Sequence, residues 1–132
     1  TALRVIAALR LLKPEERPEK VFGCEVWRDL DWLSDNEKIY LDCGAHPNLM
    51  RALSAVFDSQ IAGGKRYDLA AEGRRLANAT FSASHACDTY SALNYAMDLT
   101  PLMDENVDIA DFITSAIERF KEQVKEGIRK FQ

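Results

Sequence analysis

The feature that most constrains this chain is one long amphipathic stretch near its end. Behind Asp108, the residues Ile109, Phe112, Ile113, Ala116, Ile117, Phe120, Val124, Ile128 and Phe131 recur at intervals of three and four. That spacing puts them on one face of a helix. Asp108 has a side chain suited to an N-cap, and Asp111 adds negative charge in the first turn, where the helix dipole favours it. A stripe of this length needs a sheet, another helix or another subunit to cover it.

The rest of the sequence offers little sheet. Leu93, Tyr95, Met97 and Leu99 alternate with Asn94, Ala96 and Asp98, the period of a strand. Residues 38–43 form a second candidate strand, and the apolar run Val21–Trp27, bounded by turn-like sequence, a third. Residues 2–12 are apolar on most sides and predict a buried helix that ends near Lys13-Pro14. Pro47 suits the first position of a helix carrying Leu49, Leu53, Val56 and Phe57, which stops by Gly63-Gly64. Leu69, Gly73, Leu76, Ala77, Thr80 and Phe81 mark the next one. Residues 28–37 are polar and predict a loop. The order helix, strand, strand, helix, helix, strand, helix predicts an α/β layer structure, a single domain segment over residues 1–132. Three short strands would leave exposed edges, so a longer parent chain is expected to supply the missing ones.

Charge and cysteine usage narrow the function. The 132 residues carry 17 basic and 21 acidic side chains, a net charge of −4, and no basic stripe that a nucleic acid would need. Arg74-Arg75 comes closest, with Glu72 one turn away to balance it. No apolar run reaches the roughly 20 residues of a membrane span. Residues 2–12 contain Arg4 and Arg10 and lack a small-residue cleavage site, unlike a signal peptide. Cys24, Cys43 and Cys87 are odd in number and widely spaced, which fits a reducing cytoplasm better than a disulfide framework.

Few residues suggest chemistry. Cys43 and His46 have a metal-like Cys-x-x-His spacing, but a structural zinc needs about four ligands, and Cys24, Cys87 and His85 show no matching spacing. The plainer reading is a strand-ending Cys and a His capping the next helix. His85 and Cys87 are two apart and do not face each other on a helix. Gly63-Gly64-Lys65 follows no strand and reads as a helix-stopping turn. No catalytic residue and no metal ligand is therefore assigned. The unusual stretch is Glu25-Val26-Trp27-Arg28-Asp29-Leu30-Asp31-Trp32, with three acids, one Arg and both tryptophans. Ligands of open α/β sheets bind beyond the carboxyl ends of strands. Arg clamps polar groups through a planar fork, and Trp offers a flat face of the kind sugars stack on. The alternative is a salt-bridged surface loop, with Arg28 paired to Asp31.

That stretch, followed by Phe57-Asp58-Ser59-Gln60-Ile61, Gly63-Gly64-Lys65-Arg66-Tyr67-Asp68, Gly73-Arg74-Arg75-Leu76-Ala77-Asn78-Ala79-Thr80 and Asp98-Leu99-Thr100-Pro101-Leu102, resembles the C-terminal half of a branch of the PIG-L (LmbE-like) de-N-acetylase family. The resemblance runs across nearly the whole chain. It implies a Rossmann-like layered sheet with flanking helices and a homo-oligomer. It also implies a zinc-dependent hydrolase that removes N-acetyl groups from amino sugars or glycoconjugates. The family's zinc motifs, Ala-His-Pro-Asp-Asp and His-Pro-Asp-His, are not in this chain. Ala45-His46-Pro47-Asn48-Leu49 has Asn48 and Leu49 where the first motif has its two Asp residues, so a ligand and a base would be missing. Residues 2–12 would match the helix after the second motif. The expectation is a C-terminal part of a larger domain, inactive alone, that completes the sheet and walls the substrate cleft. Arg28 would contact the substrate there, with Glu25 and Asp29 holding its guanidinium and Trp27 walling the sugar. The alternative is a non-catalytic binding or oligomerisation module of the same family.

Overall fold

Hydrophobic periodicity is realised as mixed α/β structure. A computed structural model describes residues 1–25, 27–56, 58–82 and 86–132, leaving aside the side chains of Asp58 and Gln60. The helices are α1 (Ala2–Arg10), α2 (Pro47–Ala55), α3 (Asp58–Ile61), α4 (Tyr67–Phe81) and α5 (Ile109–Arg129). The strands β1 (Phe22–Gly23), β2 (Ile39–Asp42) and β3 (Leu93–Asp98) form a small antiparallel sheet of order β1-β3-β2. The chain divides into two compact units, one made of Thr1–Ile39 with Ala96–Gln132 and the other of Tyr40–Tyr95.

The first unit is organised around the segment after β3. Leu102 and Met103, in a 3-10 turn, form a core with Ile6 of α1, against which Leu9, Val21, Ile109 and Phe112 pack. Two arginines fasten this core through backbone carbonyls. Arg10 donates from Nε to Leu102 O at 2.7 Å and from Nη2 to Asp104 O at 3.0 Å and Val107 O at 2.8 Å. Arg17 donates to Arg10 O at 2.6 Å, Leu12 O at 2.9 Å and Met103 O at 3.0 Å. Such charge-assisted bonds are about twice as strong as neutral ones. β1 pairs antiparallel with β3, Phe22 opposite Asp98 and Gly23 opposite Met97. A Cβ on Gly23 would stand 2.5 Å from Leu99 Cδ1, so a larger residue there would oblige the Leu99 side chain to shift.

The expected strand Val21–Trp27 is therefore shorter. Pairing ends at Gly23, Trp27 already lies in a turn, and Val26 is outside the described residues. The buried helix expected over residues 2–12 is a surface helix, with Ile6 its one buried residue and Leu3, Val5 and Leu11 exposed. The arginines at positions 4 and 10 and a core on one side account for this. α5 starts where its cap predicts, with the Asp108 carboxylate accepting from Asp111 N–H at 2.9 Å. Only Ala116 of its stripe is fully buried; Phe120 is half-buried, Ile117, Val124 and Ile128 are exposed, and Phe131, past the helix end, is 94% exposed.

In the second unit, β2 runs beside the start of β3, with Cys43 N–H donating to Ala92 O at 2.9 Å. Leu93 is fully buried. Asn78 of α4 is also buried, and it joins the helix to the strand by donating Nδ2–H to Leu93 O at 3.2 Å. Tyr95 Oη returns a bond to Asn78 O at 3.3 Å, and Tyr40 packs its ring on Tyr95 at 5.3 Å. α2 begins at Pro47 as expected and ends at Ala55, and Phe57 is outside the described residues. After α3, Gly64 turns the chain with φ of +85°, a conformation glycine adopts without penalty. Among the described residues, no helix is long and apolar enough to cross a membrane.

Candidate functional site

The loop that follows β1 is built on an unusual turn. Asp31 N–H donates to Arg28 O at 3.1 Å, closing a four-residue turn whose central residues are Asp29 and Leu30. Both lie in the left-handed region, with φ of 54° and 61°. Two positive values in succession are the mark of a type I′ turn, which normally uses Asn-Gly. Left-handed backbone costs an L-residue about 1–2 kcal/mol. Asp tolerates it better than most, whereas Leu does not.

Two contacts offset that strain. Leu30 is 4% exposed, and burying a leucine side chain contributes about 1.5–3 kcal/mol. Glu25 Oε2 accepts from Leu30 N–H at 3.2 Å and from Trp32 Nε1–H at 2.9 Å. Downstream, the buried Leu33 and Ser34 anchor the loop, and Leu33 N–H donates to Leu30 O at 2.9 Å. Asp29 is itself 5% exposed. The turn thus holds Arg28 and Trp27 outward, the latter 72% exposed.

The four expected site residues, Glu25, Trp27, Arg28 and Asp29, do fall on one loop, but their roles divide. The Glu25 contacts found here clamp the turn rather than the Arg28 guanidinium. Arg28 makes no ion pair among the described residues, with Asp31 or any other acid. Nothing in the sequence marked the left-handed pair, since no glycine stands there.

Cys43 and His46 come together on the second unit. They line one cavity of about 230 Å³ with Asp42, Leu53 and Arg75 among its other walls. His46 occupies the N-cap position of α2, but its side chain makes no capping bond, against the expectation. Cys43 is half-buried with Sγ 3.4 Å from Leu41 O, and Cys24 and Cys87 are exposed. His85 lies outside the described residues. Among the described residues, no group of three or more His, Cys, Asp and Glu side chains is placed to hold a metal. Glu72 does not balance Arg75 as its spacing suggested. It accepts from Arg51 Nε at 2.8 Å, across α2 and α4.

No family model matches the sequence, and no significant similarity links it to a curated protein or to a solved structure. An exposed guanidinium and an exposed indole on a locked turn can grip a polar, ring-shaped ligand, the first by paired hydrogen bonds and the second by stacking.

Proposed function

We propose that this chain is the C-terminal portion of a zinc-dependent de-N-acetylase of the PIG-L (LmbE-like) type. In the whole protein it would complete a Rossmann-like layered sheet and wall the cleft for an N-acetylated amino sugar or glycoconjugate. The observation that carries this reading is the Asp29–Leu30 turn, since strained backbone held by surrounding contacts clusters at ligand sites. Arg28 would donate to the substrate's oxygens, and Trp27 would stack on its ring. Glu25 and Asp29 are positioning residues, acting through the turn. Bound zinc would supply an activated water in such an enzyme. The described residues do not form a site for it, so no step through the metal is assigned to this chain.

Metal analysis of the intact gene product, with acetate release from N-acetylglucosamine-containing compounds, tests the reading. One zinc per chain and stoichiometric acetate are expected. Neither zinc nor acetate would overturn it.

A second reading, a non-catalytic assembly module, draws on the exposed apolar surface. Ile117, Val124 and Ile128 of α5 are exposed, as is Phe131 just past its end. Surface of this kind marks association, so either reading includes a homo-oligomer.

A further inference from the structure

The turn after β1 holds two opposite charges that are exposed and uncommitted. Among the described residues, neither the Arg28 guanidinium nor the Asp31 carboxylate makes a hydrogen bond or an ion pair. Asp31 enters the turn through its backbone, whose N–H donates to Arg28 O at 3.1 Å. Residues that close such a turn lie less than about 7 Å apart, Cα to Cα, and as a facing pair present their side chains to one side. The left-handed Asp29 and Leu30 between them fix that spacing. The other two acids of residues 25–32 are occupied or covered. Glu25 Oε2 accepts from Leu30 N–H and Trp32 Nε1–H, and Asp29 is buried. Asp31 is the exposed one, on the turn that also carries the exposed Trp27.

We propose that Asp31 sets the specificity of this site, its two carboxylate oxygens accepting from two adjacent hydroxyls of the sugar ring that Trp27 stacks on. An ionised carboxylate only accepts hydrogen bonds, so it matches a pair of hydroxyl donors, whereas the neighbouring guanidinium only donates and takes the ligand's acceptor oxygens. In a 2-acetamido pyranose linked through its anomeric carbon, the ring carries one such pair, the hydroxyls at positions 3 and 4. The ligand class is therefore a terminal N-acetylated amino sugar with both of these hydroxyls unsubstituted. A sugar substituted at position 4, as in the interior of a chain joined there, has lost one donor. The inference rests on the reading of this turn as a sugar site, and it needs neither zinc nor turnover.

The test is a titration of the intact gene product with methyl N-acetyl-β-glucosaminide and with its 4-deoxy analogue, read by ligand-detected saturation-transfer NMR. A chelator prevents turnover. Half-saturation by the parent sugar is expected on the order of millimolar, the range for so small a ligand. The 4-deoxy analogue should bind the wild type about tenfold more weakly, the scale of one hydrogen bond to a charged acceptor. In Asp31→Ala the parent sugar should weaken by about tenfold, and the difference between the two sugars should shrink below about twofold. Should Asp31→Ala disturb the fold, Asp31→Asn keeps the side-chain size and the turn N–H, and its discrimination should fall below that of the wild type. Equal binding of the two sugars by the wild type would overturn the proposal, as would full discrimination in either variant. So would an Asp31-dependent preference for the free amine, methyl glucosaminide, which would pair the carboxylate with an ammonium. Trp27→Ala separates the inference from the reading beneath it. Weakened binding there, with discrimination intact in Asp31→Ala, overturns the Asp31 assignment alone. Unchanged binding in both Trp27→Ala and Asp31→Ala overturns the sugar site as well.

Discussion

Replacing Glu25 by Ala should loosen the loop that presents Arg28. The carboxylate satisfies Leu30 N–H at 3.2 Å, on a residue only 4% exposed. A buried donor left without a partner costs about 1–3 kcal/mol. The Trp32 indole N–H, on a half-buried ring, finds water and adds no more than about 1 kcal/mol. The expected loss is therefore about 1–4 kcal/mol. For a chain of 132 residues, that lowers Tm by roughly 4–14 °C. Glu25→Gln keeps an acceptor oxygen and forfeits only the charge assistance, about 1 kcal/mol. Urea unfolding followed by tryptophan fluorescence and by circular dichroism measures both variants. The clamp argument fails if Glu25→Ala loses less than about 1 kcal/mol, or if Glu25→Gln is as damaging as Glu25→Ala.

Arg10→Ala should destabilise the first unit by about 2–4 kcal/mol, because three carbonyls lose one charged donor group. Arg10→Lys should rescue little of this in thermal melts, since a single ammonium lacks the planar fork. Asp68 is held down to about 2 from the ordinary 3.8, first by its hydrogen bond from Arg66. Its folded value being depressed, the pair's contribution is complete above 3.8 and is lost as pH falls through about 2. A ¹³C-carboxyl titration should show that midpoint, and Arg66→Ala should return it toward 3.8. On α5, the double variant Ile117→Glu/Ile128→Glu should shift sedimentation at micromolar concentration from an associated species toward the monomer. A monomeric wild-type chain would remove that assembly surface.

Helices and their limits were legible where side chains alone decide them. The Asp108 cap and Pro47 act through local geometry and their helices start where these residues place them, and the α4 stripe falls within Tyr67–Phe81. Burial was less legible. Residues 2–12 are apolar on most sides, yet the core formed by Leu102 and Met103 reaches α1 from one side only. β3 alternates in sequence, yet the adjacent Ala96 and Met97 are both buried. At the candidate site, composition drew attention to Glu25, Trp27, Arg28 and Asp29. It could not reveal the left-handed Asp29–Leu30 pair, whose strain is offset by burial and by Glu25 rather than relieved by a glycine. The pairing expected for Arg75 also failed for a reason the sequence does not show. Its apparent partner one turn away, Glu72, is claimed by Arg51 on another helix.

The most direct test of the substrate role is Arg28→Ala in the intact gene product. Arg28 is exposed and makes no ion pair among the described residues, so its removal should leave Tm and zinc content near wild type. If its guanidinium grips the substrate in the transition state, kcat/KM for an N-acetylated amino sugar should fall about a hundredfold, the scale of one lost oriented donor. A variant whose kcat/KM stays within about threefold of wild type, under 1 kcal/mol of transition-state binding, at equal zinc loading would contradict the account.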